Sequence, residues 1–256
     1  MTNFLKEVED RVASYAHEIE MRKAAEDFML SSTKPKYCYN FTWQTRPIIQ
    51  YPQDMIAMQE IIWEVKPDLI IEMGIAHGGS LIYNASILAM LDMSEAIEEK
   101  RTIDPNLSNR KILAVDIDIR EHNKVEIEKH PMSSRIEMIQ GSSISPEIIK
   151  KVKDYAENFE RILVCLDSNH THDHVLAELE AYAPLVTKGS YCVVFDTIIE
   201  NLPDEIYPDR PWGPGNNPKS ALENYLKDNT EFEIDKNIFQ KLLISVCPDG
   251  FLKKVK

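Results

Sequence analysis

From residue 68 onward, short apolar runs alternate with longer segments in which apolar residues recur every three or four positions. This alternation is typical of βαβ units, in which helices connect parallel strands. Each connecting segment is long enough to hold a helix and to return the chain in the parallel direction. The pattern therefore predicts an α/β fold. The predicted strands are 68–74, 111–118, 135–140, 161–167 and 191–197, and the predicted helices between them are 79–93, 120–130, 146–157 and 173–184.

The end of the chain has a different pattern. A short helix, KSALENYLKD, is predicted after Pro218, and it is followed by the apolar runs EFEID (231–235), LLISVC (242–247) and FLKKVK (251–256). The sequence PDG between the last two runs is typical of a turn. We therefore expect the last strands to be antiparallel, at least in part.

The N-terminal region is predicted to be a helical extension that covers the main domain. Residues 1–31 have helical spacing, and a further helix is expected from Gln53 to Val65. The segment between these helices holds three prolines among aromatic residues, which favours a connection packed on the protein surface. We predict an extension and cap over 1–52 and one main domain over 53–256, with segment 37–51 over the carboxyl edge of the sheet.

Composition narrows the possible partners and compartments. The 256 residues carry a formal charge of −13, which argues against nucleic acid because phosphate binding needs a basic face. The four cysteines are widely separated, so we expect reduced thiols and a cytoplasmic location. No apolar stretch approaches the roughly 18 residues of a membrane span, and the N-terminus does not resemble a signal peptide.

The first strand ends in IIEMGIAHGGS, in which Glu72 precedes three of the eight glycines of the chain. Ligands of open parallel sheets bind beyond the carboxyl ends of the strands. The spacing G-x-x-x-G-G differs from the dinucleotide fingerprint G-x-G-x-x-G. A carboxylate at Glu72 can accept hydrogen bonds from an ammonium group but would repel a pyrophosphate. The stretch predicts a site for a cationic ligand, although the glycines alone are equally typical of a tight turn.

The second and third strands end in residues that suit a nucleoside. Asp116 is positioned to bind a ribose hydroxyl pair, whereas Asp118 fits better as the N-cap of the next helix. Gly141, Ser142 and Ser143 form a small polar loop that can edge an adenine. The same loop is also typical of ordinary helix initiation before Pro146.

The fourth and fifth strands end in residues that suit a metal. LDSNHTHDHV contains Asp167 and three histidines, and the fifth strand ends at Asp196. Asp167 and Asp196 are expected at neighbouring strand ends, where both can bind one oxygen-preferring cation. His170 and His174 have the i, i+4 spacing of metal-binding histidines, although either one can instead cap the helix or pair with Asp173.

Taken together, these strand ends resemble those of class I S-adenosylmethionine-dependent methyltransferases. More narrowly, IIEMGIAHGGSL, NFTWQTRPIIQYPQDM, RPWGPGNNPKSA and LLISVCPDGFLKKV resemble the cephalosporin hydroxylase / rhamnosyl O-methyltransferase family, from about residue 38 to the end. The resemblance implies a doubly wound, mostly parallel seven-stranded sheet of the Rossmann-like methyltransferase type. It also implies S-adenosylmethionine as cofactor and Mg²⁺ as an assisting metal.

Residue roles follow from this resemblance and from that to catechol O-methyltransferase. Asp167 and Asp196 match metal-binding aspartates, Thr197 stands where those enzymes have a metal-binding asparagine, and His170 stands where they have a lysine base. Phe195 stands where closer relatives can have a metal-binding acid, which leaves the third ligand open. The implied catalytic residues are His170 and Asp167; the implied metal ligands are Asp167, Asp196 and Thr197; and the implied cofactor-binding residues are Glu72, Gly74, Ala76, Gly78, Ser80, Asp116, Ser142, Ser143 and Asp167.

The expected function is O-methylation of a hydroxyl on a sugar, in a surface polysaccharide or glycoside, or on a secondary metabolite. Two alternatives stay open: a hydroxylase with iron bound by His170, His174 and an acid, and a nucleoside-binding partner of a biosynthetic enzyme that has no activity itself. The expected partners are a small-molecule or glycan acceptor and further copies of the chain. His77, His172 and His174 have no assigned role in the expected function.

Overall fold

Strands and helices alternate along the chain in the computed structural model, which describes residues 2–256. Within these residues the strands are β1 (Phe41–Trp43), β2 (Arg46–Ile48), β3 (Leu69–Met73), β4 (Lys111–Asp116), β5 (Ile136–Gln140), β6 (Ile162–Leu166), β7 (Tyr191–Val194), β8 (Phe232–Ile234) and β9 (Phe251–Lys254). The α-helices of the same residues are α1 (Thr2–Ser14), α2 (Ile19–Thr33), α3 (Pro52–Val65), α4 (Gly79–Glu99), α5 (Glu121–Glu128), α6 (Pro146–Ala156), α7 (His172–Tyr182), α8 (Pro218–Asp228) and α9 (Lys236–Leu242).

Seven strands form one sheet in the order β5-β4-β3-β6-β7-β9-β8. The first five strands in this order are parallel, and β9 runs antiparallel to both of its neighbours. The order reverses direction between β3 and β6, so the switch point where such sheets bind ligands lies between these two strands. The predicted α/β, doubly wound, mostly parallel seven-stranded sheet is confirmed.

Both faces of the sheet are covered, which gives the protein two apolar cores. One core lies under α3 and α4, and the other lies under α6, α7 and α8. Successive side chains of a strand point to opposite faces, and Glu72 on β3 pairs in register with Cys165 on β6. Glu72, Cys165 and the next alternate residue, Asp167, therefore face the side of the sheet that carries α3 and α4.

The predicted strand LLISVC is wrong. Its first residue ends α9, a helix that the apolar pattern did not predict, and residues 243–250 form an irregular, half-buried loop. Leu243 has a left-handed φ of 61°, which ends the helix. The loop is stable without a strand partner because its polar groups bind elsewhere: the Ser245 hydroxyl and the Val246 N–H both donate to the Asp54 carboxylate.

The N-terminal region is helical up to Thr33, with a break at a 3₁₀ turn over Tyr15–His17. The connection after α2 contains the antiparallel hairpin β1-β2, which lies outside the main sheet and was not predicted. Helix α1 packs against α9. Across residues 2–256, none of the helices combines the length and the apolar character that crossing a membrane requires.

Candidate active site

A cleft of about 410 Å³ opens beyond the carboxyl ends of β6 and β7. One wall comes from α2 and the segment before α3, and the other comes from the loop that follows β7. The floor is formed by the residues that follow β6 and β7. The lining residues used below are Tyr39, Gln50, Asp167, His170, Asp196, Tyr207, Arg210 and Trp212.

Asp167, His170 and Asp196 converge at this floor. One ligand atom from each lies within 4.8 Å of the others, and His170 Nε2 is 3.4 Å from Asp196 Oδ2. The His170 ring also contacts Trp212, with ring centroids 5.4 Å apart in an edge arrangement. Two carboxylates suit Mg²⁺ or Mn²⁺, and the imidazole adds a nitrogen that Mn²⁺, iron or zinc accepts. The donor set therefore fits a divalent cation.

The charge state of this cluster reflects its surroundings. Burial raises the pKa of the Asp167 carboxyl well above its usual range, and the nearby negative charge of Asp196 raises it further. Asp196 itself has a left-handed backbone, with φ of 57°, at the end of β7. Such a conformation is uncommon for a residue with a side chain and is a frequent mark of functional sites.

Thr197 lies beside this cluster in sequence but faces away from it. The Thr197 side chain has no exposed surface, and its hydroxyl donates a 2.8 Å hydrogen bond to the Pro248 carbonyl. The hydroxyl proton is thus used within the protein. The three residues whose ligand atoms lie close enough to share one cation are Asp167, His170 and Asp196, and the Thr197 hydroxyl is turned away from them.

The other two histidines of this loop have separate partners. His172 Nδ1 lies 2.9 Å from the Ser220 hydroxyl at the start of α8. His174 Nε2 lies 3.2 Å from Oε1 of Glu178 and 3.0 Å from the Ser143 hydroxyl. These contacts hold His174 in a polar network beside α7 and not in the cluster around His170. An iron site made from His170 and His174 together is therefore not formed in this structure.

The glycine turn after β3 is shaped by close protein contacts. Gly74 has a φ of 101°, and a β-carbon there would lie 2.1 Å from the Asp167 carbonyl oxygen. A β-carbon on Gly79 would lie 2.1 Å from the Pro47 carbonyl oxygen. The non-glycine residue Ala76 also has a positive φ, of 46°. Glycine at these positions lets the turn pack closely against the end of β6 and the N-terminal segment. The sequence pattern did not predict these close contacts.

Glu72 is a buried acid beside this turn. Its carboxylate accepts hydrogen bonds from the Ser80 hydroxyl and, at 2.9 Å, from the Asn84 amide. Burial raises the pKa of Glu72 to about 7. A small cavity next to Glu72 is lined also by Gln50, Asn84 and Asp167. Among residues 2–256, Gln50 and Asn84 each carry a buried amide oxygen that finds no hydrogen-bond partner. The surroundings of Glu72 are thus rich in acceptors, which suits a cationic donor.

Asp116 and Ser143 are already engaged by protein groups. The Asp116 carboxylate accepts a 2.8 Å hydrogen bond from the Ile75 N–H, which ties the end of β4 to the glycine turn. Ser143 is buried, and its hydroxyl donates to Glu178 at 2.5 Å. Ser142, by contrast, remains partly exposed. Of the predicted nucleoside contacts, Asp116 and Ser142 face accessible space, and Ser143 does not.

The family model for rhamnosyl O-methyltransferase/CmcI matches residues 35–255. The chain belongs to this family. A rhamnosyl O-methyltransferase from Mycobacterium tuberculosis (strain ATCC 25618 / H37Rv) is 28% identical over 251 residues, covering 94% of this chain and 90% of the relative. A rhamnosyl O-methyltransferase from Mycobacterium leprae (strain TN) is 28% identical over 223 residues, covering 84% of this chain and 86% of the relative.

Solved structures of CmcI share the fold of this family member. A CmcI structure with Mg and SAM has a TM-score of 0.55 at 16% identity, covering 85% of this chain and 78% of the other. A CmcI structure with SAH has a TM-score of 0.54 at 17% identity, covering 84% and 83%. At this level of identity the similarity concerns the fold, and it confirms the predicted Rossmann-like methyltransferase architecture.

Sequence reasoning missed four polar residues that surround the site in this family member. Gln50 and Asn84 contribute unpartnered oxygens near Glu72, Asp54 anchors the loop 243–250, and Glu178 binds two serine hydroxyls. Three of them, Asp54, Asn84 and Glu178, lie on helices. In a helical sequence, a polar residue among apolar ones is usually predicted to lie on the exposed face. Glu178 at the i+4 position from His174 was the one available signal.

Proposed function

We propose that the protein transfers a methyl group from S-adenosylmethionine to a hydroxyl of a sugar or glycoside, assisted by a divalent cation. The observation that carries this proposal is the convergence of Asp167, His170 and Asp196 on the floor of an open cleft, beside the glycine turn. Membership of the rhamnosyl O-methyltransferase/CmcI family supports a sugar hydroxyl as acceptor.

The surroundings of Glu72 support the cofactor assignment. Its buried carboxyl, together with the free amide oxygens of Gln50 and Asn84, would bind the ammonium group of the methionine part. Asp116 and Ser142 would contact the ribose and the adenine edge. The predicted roles of Gly74, Ala76, Gly78 and Ser80 are to shape the turn around the methionine part, and Ser143 would support the adenine loop from below. S-adenosylmethionine, when bound, supplies an activated methyl group to the acceptor oxygen.

Asp167 and Asp196 would hold the cation, because both carboxylates face the cleft floor. When bound, the cation would supply the Lewis acidity that lowers the pKa of the acceptor hydroxyl. Mg²⁺ is the expected metal, since the two carboxylates of Asp167 and Asp196 suit its preference for oxygen ligands.

His170 is the proposed general base. It takes the proton of the acceptor hydroxyl on a ring nitrogen as the oxygen gains the methyl group. The Asp196 carboxylate, 3.4 Å from Nε2, stabilises the positive charge that the ring then carries. The edge contact with Trp212 limits the orientation of the ring. An acceptor hydroxyl bound at the cleft floor would thus lie close to both His170 and Asp196, and this proximity favours the proton transfer to His170.

The aromatic residues of the cleft wall suit a sugar ring as the acceptor. Trp212 and Tyr207 pack against each other with ring centroids 4.8 Å apart, and the Arg210 guanidinium lies 5.9 Å from the Trp212 ring. Aromatic faces of this kind bind the apolar face of a ring, while Arg210 can donate to its hydroxyls. Trp43, Arg46 and Asn216 make their hydrogen bonds within the protein, to Ser86, His77 and Pro211 respectively, and are not proposed as acceptor contacts.

The experiment combines binding with turnover. Calorimetry with S-adenosylmethionine, followed by methyl transfer to rhamnosides and other glycosides with Mg²⁺, tests the proposal directly. Asp167→Ala should abolish transfer and keep most of the cofactor affinity, and the exposed Asp173→Asn serves as its control. No binding of S-adenosylmethionine would overturn the function. Binding without transfer to any acceptor would favour a nucleoside-binding partner, and oxygen consumption with bound iron would favour a hydroxylase.

His170→Ala distinguishes the proposed base from a metal ligand. It should lower turnover by about 10²-fold or more while the Mn²⁺ affinity stays unchanged. Loss of Mn²⁺ binding in this variant would assign His170 as a ligand and overturn its role as base. The exposed His122→Gln is the matched control.

We also propose that the protein is cytoplasmic and forms homo-oligomers. Cys38, Cys165, Cys192 and Cys247 are free thiols, which supports a reducing compartment. Phe4 and Leu5 on α1 are more than half exposed, which supports a contact between copies through this helix. Light scattering should give a molar mass of more than one copy per particle, and Phe4→Ser should lower this mass. A monomer at every concentration would contradict the proposal.

A further inference from the structure

The backbone at Asp196 is held in an unfavourable conformation. Its φ of 57° and ψ of 22° lie in the left-handed region, between the end of β7 and a 3₁₀ turn over Thr197–Asn201. A residue with a side chain persists there only when its surroundings hold it. The groups that hold Asp196 therefore decide where its carboxylate points.

The residues on each side of Asp196 are bound to the loop 245–250, which is the C-terminal part of the irregular loop 243–250. Thr197 Oγ1 donates to the Pro248 carbonyl at 2.8 Å, and the Ile198 N–H donates to the Val246 carbonyl at 3.1 Å. On the other side, the Val194 N–H donates to the Gly250 carbonyl at 2.8 Å. The strand end that carries Asp196 is thus fastened to one loop before and after the left-handed residue.

Asp54, on α3, holds this loop in turn. Asp54 has no exposed surface, and its two carboxylate oxygens accept from the Ser245 hydroxyl at 2.5 Å and from the Val246 N–H at 3.0 Å. The Ser245 hydroxyl also accepts from the Cys247 N–H at 2.8 Å. Burying a carboxyl group away from water costs free energy unless it is hydrogen-bonded. Packing alone would favour an apolar residue at position 54, so the two hydrogen bonds of Asp54 indicate that it holds the loop.

We propose that Thr197 and Asp54 are positioning residues for the active site, which fix the Asp196 carboxylate against Asp167 and His170 through the loop 245–250. This inference rests on the proposed function, because Thr197 and Asp54 have a positioning role only if Asp196 binds a cation. Thr197 acts with its hydroxyl turned away from the site, which explains how it can matter there without being a ligand. Asp54 acts from further away, through the Val246 N–H and the Ser245 hydroxyl.

The test measures Mn²⁺ affinity, turnover and thermal stability on the same variants of the full chain. Thr197→Val removes the hydroxyl and should weaken Mn²⁺ binding about tenfold or more, as loss of groups that orient metal ligands does. It should lower kcat and leave the KM for S-adenosylmethionine unchanged. Thr197→Ser keeps the hydroxyl and should restore the Mn²⁺ affinity to within about threefold of the wild type.

Asp54→Asn is the second variant, in case Thr197→Val does not fold. It replaces one acceptor oxygen by a donor facing the loop and should weaken Mn²⁺ binding in the same direction. Val152→Ala, a change at a buried residue of α6 on the opposite face of the sheet, is the stability control. It should lower the melting temperature and keep the Mn²⁺ affinity.

The outcomes separate the two proposals. If the wild type binds Mn²⁺ and both Thr197→Val and Asp54→Asn bind it within twofold of the wild type, the positioning role is overturned and the proposed function stands. If metal affinity falls equally in Val152→Ala, the effect is one of stability and the positioning role is again overturned. If the wild type binds S-adenosylmethionine but no Mn²⁺, the metal site and the positioning role both fail.

Discussion

The backbone of Asp167 lies against Gly74, with the Asp167 carbonyl oxygen 2.1 Å from the point that a β-carbon on Gly74 would occupy. The two residues directly follow neighbouring strands, β3 and β6, at the switch point of the sheet. Gly74 thus joins the glycine turn to the acid cluster, because any side chain at Gly74 would push against the backbone that carries Asp167.

Gly74→Ala should therefore destabilise the protein and weaken metal binding together. We expect a loss of about 3 kcal/mol or more in the free energy of unfolding, since the added methyl meets backbone and not a flexible side chain. Gly189→Ala is the matched control, because Gly189 also has a positive φ and no atom of the described part of the chain lies within 4 Å of its added β-carbon. It should lose only about 1 kcal/mol. Equal losses in urea denaturation would contradict the role of the close contact.

Glu72 should make cofactor binding depend on pH. Its pKa of about 7 in the free protein means that it holds a proton below neutral pH. A cationic ligand favours the ionised form, so binding releases a proton and affinity rises with pH until Glu72 is ionised before binding. The affinity for S-adenosylmethionine should rise by at most about tenfold per pH unit below pH 7 and level off above it.

Calorimetry in buffers of different ionisation enthalpy measures that proton directly. Glu72→Gln should weaken cofactor binding and remove the proton release, whereas the exposed Glu233→Gln should change neither. A pH-independent affinity between pH 6 and 8 in the wild type would argue against Glu72 as the ammonium partner.

Asp54 should make stability depend on pH. Burial raises the pKa of Asp54 to about 7, above the value near 3.9 expected in the unfolded chain. The folded state therefore keeps a proton that the unfolded state releases, and this contribution to stability is lost as pH rises from about 4 to about 7. Asp54→Asn should flatten this part of the pH profile in urea denaturation, and the exposed Asp228→Asn should not. An unchanged slope in Asp54→Asn would contradict the prediction.

Trp212 should affect the acceptor and not the cofactor. It lines the cleft next to His170, whereas Trp63 is a partly exposed residue on α3. Trp212→Ala should raise the KM for a glycoside acceptor about tenfold, consistent with the roughly 0.5–1.5 kcal/mol of an aromatic contact beyond its buried area. Trp63→Ala is the control. A change in S-adenosylmethionine affinity with an unchanged acceptor KM would place Trp212 in the cofactor site and contradict its role in acceptor binding.

Chelation should separate metal from cofactor binding. Treatment with EDTA should abolish methyl transfer and leave most of the affinity for S-adenosylmethionine, because Glu72 and the glycine turn do not depend on the cation. Mg²⁺ added back should restore transfer. Full activity after EDTA, with metal content measured by mass spectrometry, would contradict the role assigned to Asp167 and Asp196.

Several features of this protein follow from the sequence alone. The alternation of apolar runs and amphipathic segments was sufficient for the parallel sheet, because local periodicity decides which segments become strands or helices. The strand ends could be read as a site, since parallel strands bring their carboxyl ends to one edge. The sequence therefore predicted that Asp167, His170 and Asp196 lie at one edge of the sheet, and the structure brings their side chains together there.

Only the tertiary structure decided which polar residues meet within that site. LLISVC is as apolar as a strand, yet it forms a loop because Asp54, almost two hundred positions earlier in the chain, binds its backbone. The turn of Thr197 toward Pro248, and of His174 toward Ser143, likewise depends on partners far apart in the sequence. Periodicity reports the face on which a residue lies. The direction of a side chain at a strand end depends on long-range hydrogen bonds, which no local pattern contains.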